Sequence, residues 1–247
     1  MTADNISDKA EVSKTQKTKV AEAISVAAHQ LKTPISIIKG YLEELLSSDL
    51  GVVNDRQREY LEDALTNVKR MSLLVNHVLE ISRIDEGRYQ LFVEKFALEK
   101  LTKDVIDTFG GWAKASNVNI IYQSEENLPL VSSDPFKIRQ VIENVISNAL
   151  KYKGPGLGIV TIAVKKGDNE VVFSCCDNGI GLAPEDRDRM FTKFYRSEKA
   201  VELDPSGTGL GLVINKAIIN LSGGKIWFEE NLDRGITFYF SLPIKYD

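Results

Sequence analysis

The stretch Asp134-Pro135-Phe136-Lys137-Ile138-Arg139-Gln140-Val141-Ile142-Glu143-Asn144-Val145-Ile146-Ser147-Asn148-Ala149-Leu150-Lys151-Tyr152 decides how the second half of the chain is read. Asp134 as N-cap and Pro135 at the first helical position start a helix, expected over Pro135–Tyr152. Ile138, Val141, Ile142, Val145 and Ala149 fall on one face. The opposite face holds Asn144, Asn148 and Lys151, spaced four and then three residues apart and therefore aligned. Two amide oxygens and an ammonium in one stripe suit a metal–phosphate ligand, the oxygens coordinating Mg²⁺ and the lysine neutralising phosphate. A solvated helix face is the plain alternative. Against it, Asn is a poor helix former, and each one in mid-helix costs roughly several tenths of a kcal/mol.

Around this helix, from Tyr89 onward, short β-like runs alternate with helical ones. Strands are expected at Leu91–Phe96, Val118–Gln123, Val160–Lys165, Glu170–Cys176, Lys225–Glu230 and Ile236–Leu242, and helices at Leu98–Ala115, Pro184–Tyr195 and Leu210–Leu221. Helices segregated from mostly antiparallel strands make an α/β sandwich.

Two further constellations belong to this half. Asp177-Asn178-Gly179-Ile180-Gly181 follows the apolar run ending in Cys175-Cys176. A carboxylate at a buried strand end can accept a hydrogen bond from an exocyclic amine such as that of adenine, and the glycines let the backbone come close. Asn-Gly is equally a hairpin signal, and taken alone the turn is the better reading. Gly207-Thr208-Gly209-Leu210-Gly211-Leu212 leads into a helix whose N-terminal N–H groups suit phosphates. A dinucleotide fold would place a strand directly before it. Here Glu198 to Ser206 is polar, contains Pro205 and reads as a mobile loop, which favours a lid over a nucleotide. Upstream, Phe191-Thr192-Lys193-Phe194-Tyr195-Arg196 supplies a guanidinium able to clamp a terminal phosphate.

The first half is helical. Val20, Ile24, Ala27, Leu31, Ile35, Ile38, Leu42 and Leu45 recur at helical steps, and so do Leu61, Leu65, Val68, Met71, Val75, Val78 and Ile81. Between them lies a short connection with Gly51. Asn54 and Gln57 resemble a capping box, and Gly87 is placed to stop the second helix. Two such helices form an antiparallel hairpin. Alone it buries too little to be stable, so a dimeric four-helix bundle is expected, with packing against the second half as the alternative. His29-Gln30-Leu31-Lys32-Thr33-Pro34 lies on the first helix. His29 and Thr33 share a face. Pro34 costs a helix interior ~3 kcal/mol, an odd choice for a purely structural segment. An exposed His beside a tolerated kink is the alternative. His77, the other histidine, reads as structural.

Composition sets the frame. The 247 residues carry 31 Lys+Arg against 35 Asp+Glu, a net charge of −4, with 43% hydrophobic residues. That supports a folded core and argues against general nucleic-acid binding, which needs a basic face. Consecutive strand residues point to opposite faces, so Cys175 and Cys176 make a poor disulfide, and two Cys are too few for a zinc site. A reducing compartment fits. No apolar run approaches the ~20 residues that span a bilayer, and Met1 to Lys19 lacks the apolar stretch of a secretory signal. The expectation is a cytoplasmic chain or the soluble part of a longer membrane-bound sensor.

In order and spacing, these segments resemble the two-component sensor histidine kinases, whose ATP-binding domain is shared with gyrase-type and chaperone ATPases. Asn144 to Tyr152 resembles the asparagine box, and Asp177 to Gly181 the first glycine box. Phe191 to Arg196 resembles the phenylalanine box, Gly207 to Leu212 the second glycine box, and Gly235-Ile236-Thr237-Phe238 the closing strand. His29 to Pro34 resembles the phosphoacceptor box. The resemblance covers Val20 to Ile244. It implies an α+β chain with residues 1–19 as a tail, 20–87 as a dimerising phosphotransfer hairpin and 88–247 as an ATP-binding α/β sandwich.

The resemblance also assigns roles. ATP and Mg²⁺ are the implied ligands. Asp177 would bind adenine, Asn148 would hold Mg²⁺ with Asn144 in support, and Lys151 and Arg196 would contact phosphates. Gly207, Thr208, Gly209, Leu210, Gly211 and Leu212 would close over the nucleotide, with Tyr152, Gly179, Gly181 and Thr237 completing its surroundings. Neutral imidazole is available at cellular pH, so His29 would attack the γ-phosphate and pass the phosphoryl group to an aspartate of a response regulator receiver domain. Thr33 matches the position that helps water hydrolyse the regulator's phosphoryl group. A homodimer is implied. Two departures stand out: Gln30 replaces the family's acid, and Lys153 precedes an unusual Gly154-Pro155-Gly156-Leu157-Gly158. A phosphatase-biased regulator and a non-catalytic dimeric scaffold are the rival functions.

Overall fold

The computed structural model describes residues 26–47 and 50–244. The chain divides into two compact units, Met1–Tyr89 and Gln90–Asp247. No helix among the described residues is long and apolar enough to cross a membrane.

In the first unit, helix α1 covers residues 26–46 and helix α2 covers Asp55–Asp85. The capping box forms: Asn54 Oδ1 accepts from the Gln57 N–H and Gln57 Oε1 from the Asn54 N–H, both at 2.9 Å. Glu86 is the C-cap, and Gly87 follows at φ +68°, where a side chain would be strained. Helix α1 continues through Pro34, which offers no N–H to the Gln30 carbonyl one turn back.

The expected apolar stripe of α1 splits in two. Ala28 and Ile35 are buried, whereas Leu31, Ile38 and Leu45 are 51%, 45% and 40% exposed. One neighbouring helix covers a seam narrower than the stripe, so the second line of apolar residues faces outward. Met71 on α2 is likewise exposed, while Val68, Leu79 and Ile81 are buried. Val20 and Ile24 lie outside the described residues.

The second unit contains strands β1 (Glu94–Phe96), β2 (Val118–Ser124), β3 (Val131–Ser133), β4 (Gly158–Lys166), β5 (Glu170–Asp177), β6 (Lys225–Glu230) and β7 (Ile236–Pro243). Its helices are α3 (Leu98–Ala115), α4 (Pro135–Lys151), α5 (Glu198–Leu203) and α6 (Gly211–Leu221). The main sheet has the order β2-β4-β5-β7-β6; β2 runs parallel to β4 and the other pairs are antiparallel. Strands β1 and β3 form a separate antiparallel pair. Helices α3, α4 and α6 pack on one another and on the sheet. Ile162, Phe173, Cys175, Phe238 and Phe240 on the sheet and Ile138, Ile142, Val145 and Ile146 on α4 are all buried, with Phe173 and Phe240 stacked at 4.7 Å. Helix α4 buries seven residues; each large aliphatic one stabilises the docking by about 1.5–3 kcal/mol. That fixes which way its polar face points.

Two expectations are corrected here. The helix expected over Pro184–Tyr195 is only a 3-10 turn, Pro184–Arg189. Its residues alternate acid and base without an apolar stripe, and Phe194 takes φ +64°, which no helix accommodates. The loop expected over Glu198 to Ser206 contains α5, capped by Ser197, whose side chain accepts from the Ala200 N–H. Both cysteines are free, and Cys175 is buried.

Candidate active site

Strand β5 ends at Asp177, and the chain then turns through Gly179. Asp177 Oδ1 accepts from the Gly179 N–H at 2.8 Å and the Ile236 N–H at 3.3 Å. Both bonds fall on one oxygen, so Oδ2 is left for a ligand. Burial pushes the Asp177 carboxyl above the usual aspartate range, with the two N–H groups opposing. Gly179 belongs here because a Cβ would lie 2.4 Å from the Tyr152 carbonyl, which itself accepts from the Ile180 N–H at 3.0 Å. Tyr152 thus contributes its main chain at the end of α4. Gly181 has φ +70°. The Asn-Gly turn forms beside Asp177: Asn178 Oδ1 accepts from the Ile159 N–H at 2.8 Å and braces the turn against β4.

The polar face of α4 lies as expected, with Asn144 and Asn148 half-buried and Lys151 more open. Gly211 opens α6 directly over Asn144, its missing Cβ only 2.8 Å from the Asn144 amide. Asn144 Nδ2 is buried without a hydrogen-bond partner. A buried, unsatisfied amide facing the glycine segment fits a site built for a polar ligand, and side-chain oxygens suit Mg²⁺. Among the described residues no cluster of three or more His, Cys, Asp or Glu could hold a metal ion.

The Gly207–Leu212 segment is held by local contacts. Gly209 has φ +67° and lies against Phe194, whose N–H donates to the Gly209 carbonyl at 3.0 Å. Thr208 Oγ1 accepts from the Leu210 N–H at 3.2 Å. Leu210 is buried and Leu212 half-buried. Arg196, expected at a phosphate, donates to the carbonyls of Ala200 at 2.6 Å and Gly207 at 3.1 Å, and also to that of Asp204. Lys151 Nζ lies 3.2 Å from Asp204 Oδ2. The 3-10 turn before the Phe191–Arg196 segment is anchored to β6 by a two-pronged Arg187–Glu230 pair.

Thr237 does not face the site directly. Its hydroxyl donates to Asn231 Oδ1 at 2.6 Å, and Asn231 Nδ2 donates to the Asp177 carbonyl at 2.7 Å. Asn231 and Asp204 escaped the sequence reading: an Asn in a turn and an Asp in a polar loop carry no signal without their partners.

On α1 of the first unit, His29, Gln30 and Thr33 are all exposed. His77 on α2 is half-buried, and burial pulls its imidazole below the usual histidine range, opposed by Glu80. That agrees with a structural role.

Fold and site together define a nucleotide-binding α/β domain that follows a histidine-bearing helical hairpin. Residues 133–246 match the Histidine kinase-, DNA gyrase B-, and HSP90-like ATPase family, and residues 19–87 match the His Kinase A (phospho-acceptor) domain. The chain is 34% identical over 226 residues to the sensor histidine kinase WalK of Bacillus subtilis, covering 91% of this chain and 36% of WalK. Full-length ShkA in complex with AMPPNP superposes with a TM-score of 0.76 at 26% identity, over 92% of this chain and 46% of that one. Histidine kinase ThkA, solved in complex with response regulator protein TrrA, shares the fold, with a TM-score of 0.65 at 23% identity over 99% of this chain and 68% of that one. The chain spans about a quarter to a third of the length of the curated relatives it matches. It belongs to the two-component sensor histidine kinases.

Proposed function

We propose that this chain is the ATP-dependent protein-histidine kinase portion of a two-component sensor. The reading is carried by one observation. The glycine segments meet α4 at two points, Gly211 over Asn144 in its middle and Gly179 against Tyr152 at its C-terminal end, so that Asp177, the amide face and the lid border one site. Asp177 Oδ2 accepts from the adenine amine. Lys151 and Arg196 would contact phosphates. Asn148, with Asn144, would hold Mg²⁺ through side-chain oxygens; when bound, the ion neutralises phosphate charge.

The nucleophile is a ring nitrogen of His29. It forms an N–P bond to the γ-phosphorus as the bond to the β–γ bridging oxygen breaks, and ADP leaves with the electron pair. The ring loses its remaining N–H proton to solvent. The phosphoryl group then passes to an aspartate of a response regulator, with Thr33 on the same helix face to help water hydrolyse that aspartyl phosphate to inorganic phosphate. We place this chemistry in the cytoplasm, where ATP is.

The exposed line Leu31, Ile38 and Leu45 recurs every seven residues and supports a homodimer that completes a four-helix bundle. Sedimentation equilibrium tests this, and a monomer at micromolar concentration would remove it. Incubation with γ-labelled ATP tests the kinase. The expected product is an acid-labile, base-stable label that His29→Ala abolishes while ATP affinity is kept. ATP binding without label would favour the phosphatase-biased reading, and no binding the scaffold.

A further inference from the structure

Lys151 and Arg196, the two cations assigned to phosphate, are both already held by the lid. Lys151 Nζ stands 3.2 Å from Asp204 Oδ2, with the Lys151 side chain 34% and that of Asp204 13% exposed. Arg196 donates to the main-chain carbonyls of Ala200, Asp204 and Gly207. Asp204 is the hub. Its Oδ1 accepts from the N–H of Ser206 at 2.9 Å and from the Ser206 hydroxyl, and its own N–H donates to the Ala200 carbonyl at 3.2 Å. Burial works to raise the Asp204 carboxyl, but Ser206 and Lys151 hold it on balance below the usual aspartate range.

We propose that Asp204 is an internal competitor of the nucleotide phosphates and sets how strongly the site prefers a phosphate-bearing ligand over a bare nucleoside. The proposal rests on the ATP-site reading above. One ammonium cannot give its full charge to two anions. A phosphate that engages Lys151 must therefore draw it from Asp204, and it meets an uncompensated carboxylate as it does so. Adenosine uses Asp177 and the glycine turn but not Lys151, so it does not enter this competition. Arg196 shifts in the same exchange, because its carbonyl partners flank Asp204.

The test is calorimetric titration with AMPPNP and with adenosine, each with Mg²⁺ present. Asp204→Asn keeps the shape and an acceptor for Ser206 but removes the charge. The variant is expected to bind AMPPNP about threefold to tenfold more tightly, with adenosine affinity unchanged. Weaker or unchanged AMPPNP binding by Asp204→Asn would overturn the proposal, and so would equal tightening of adenosine. Failure of the underlying reading looks different: wild-type protein would bind AMPPNP no better than the Asp177→Asn variant.

Discussion

The Asn231 side chain bridges two strands at the nucleotide site, accepting from Thr237 Oγ1 at 2.6 Å and donating to the Asp177 main-chain carbonyl at 2.7 Å. It connects the β6–β7 turn to the end of β5, and so fixes Asp177, the residue proposed to read the base. Asn231→Ala leaves the Thr237 hydroxyl and the Asp177 carbonyl without this partner. A lost hydrogen bond of this kind costs about 1 kcal/mol, so AMPPNP affinity is expected to fall roughly fivefold. Thr237→Val should have a similar effect. Because the two residues act through one bridge, the double variant should be little worse than the poorer single one. Calorimetric titration of the three proteins decides it, and fully additive losses would mean that the residues act separately.

Asp177 carries the second prediction. Asp177→Asn replaces a charge-assisted acceptor with an amide, at a cost of about 1.5–3 kcal/mol, and should weaken AMPPNP at least roughly tenfold while leaving the fold intact by circular dichroism. The pH dependence has a definite sign. Burial raises the folded-state value for this carboxyl, so it takes up a proton at a higher pH than an ordinary aspartate. Affinity is therefore expected to fall as pH drops through that raised value. The Asn variant should lack this step, since it has no proton to gain. The same shift means that the ionised carboxyl disfavours folding: its contribution favours the folded state at low pH and is lost as pH rises through the raised value. A step shared by both proteins would belong to the ligand.

Gly235 carries the third. It sits at φ +95°, and a Cβ there would lie 2.0 Å from the Asp177 carbonyl oxygen. Backbone on backbone cannot yield as a flexible side chain can. Gly235→Ala should destabilise the second unit by about 2–4 kcal/mol, lowering its melting temperature by roughly 5–15 °C. Gly156 is the control. It has φ +88° but nothing within 4 Å of its Cβ position, so Gly156→Ala should show only the backbone strain of about 1–2 kcal/mol. Equal melting temperatures for the two variants would show that the Asp177 turn relaxes around the new methyl.

How far the sequence reveals this structure depends on where each signal sits. Helix α3 is legible to the residue at Leu98–Ala115, and α4 ends within one residue of its expected bound, because the amphipathic period of both and the Asp134 cap of α4 are local. Strand β3, Val131–Ser133, is missed because three residues cannot display an alternation. Helix α5 is missed because Glu198 to Leu203 bury nothing, although Ser197 was a readable cap. In α1 the stripe is legible but its division is not: burial of Ile35 and exposure of Leu31 depend on which side the neighbouring helix takes. The site shows the same limit. Asp177 and Asn144 announce themselves through neighbouring glycines and helical spacing. Asn231 lies 54 residues from Asp177 in sequence, and Asp204 is joined to Lys151 across an equally long stretch of chain. Neither pairing has any local trace.

Gln30 carries the last prediction. It follows His29 on α1, both side chains are exposed, and Pro34 offers no N–H to the Gln30 carbonyl. When one imidazole nitrogen attacks phosphorus, positive charge builds on the ring and the other nitrogen must release its proton. A carboxylate beside the ring can take that proton or stabilise the imidazolium, and general-base help of this kind is worth about 10²–10⁴-fold. Glutamine cannot take a proton at neutral pH, but its carbonyl oxygen can accept a hydrogen bond from the ring N–H and fix the tautomer, which keeps part of the effect. The wild-type chain is therefore expected to be a slow kinase limited by chemistry and not by ATP affinity. Gln30→Glu should raise the rate of His29 phosphorylation at saturating Mg-ATP, by less than the full general-base range. AMPPNP affinity should not change, because His29 and the nucleotide site belong to different units. Single-turnover rates of both proteins, matched for folding and dimerisation, are the measurement. A Gln30→Glu protein that is no faster would show that proton release from His29 is not the slow step, and that the glutamine serves this helix as well as an acid would.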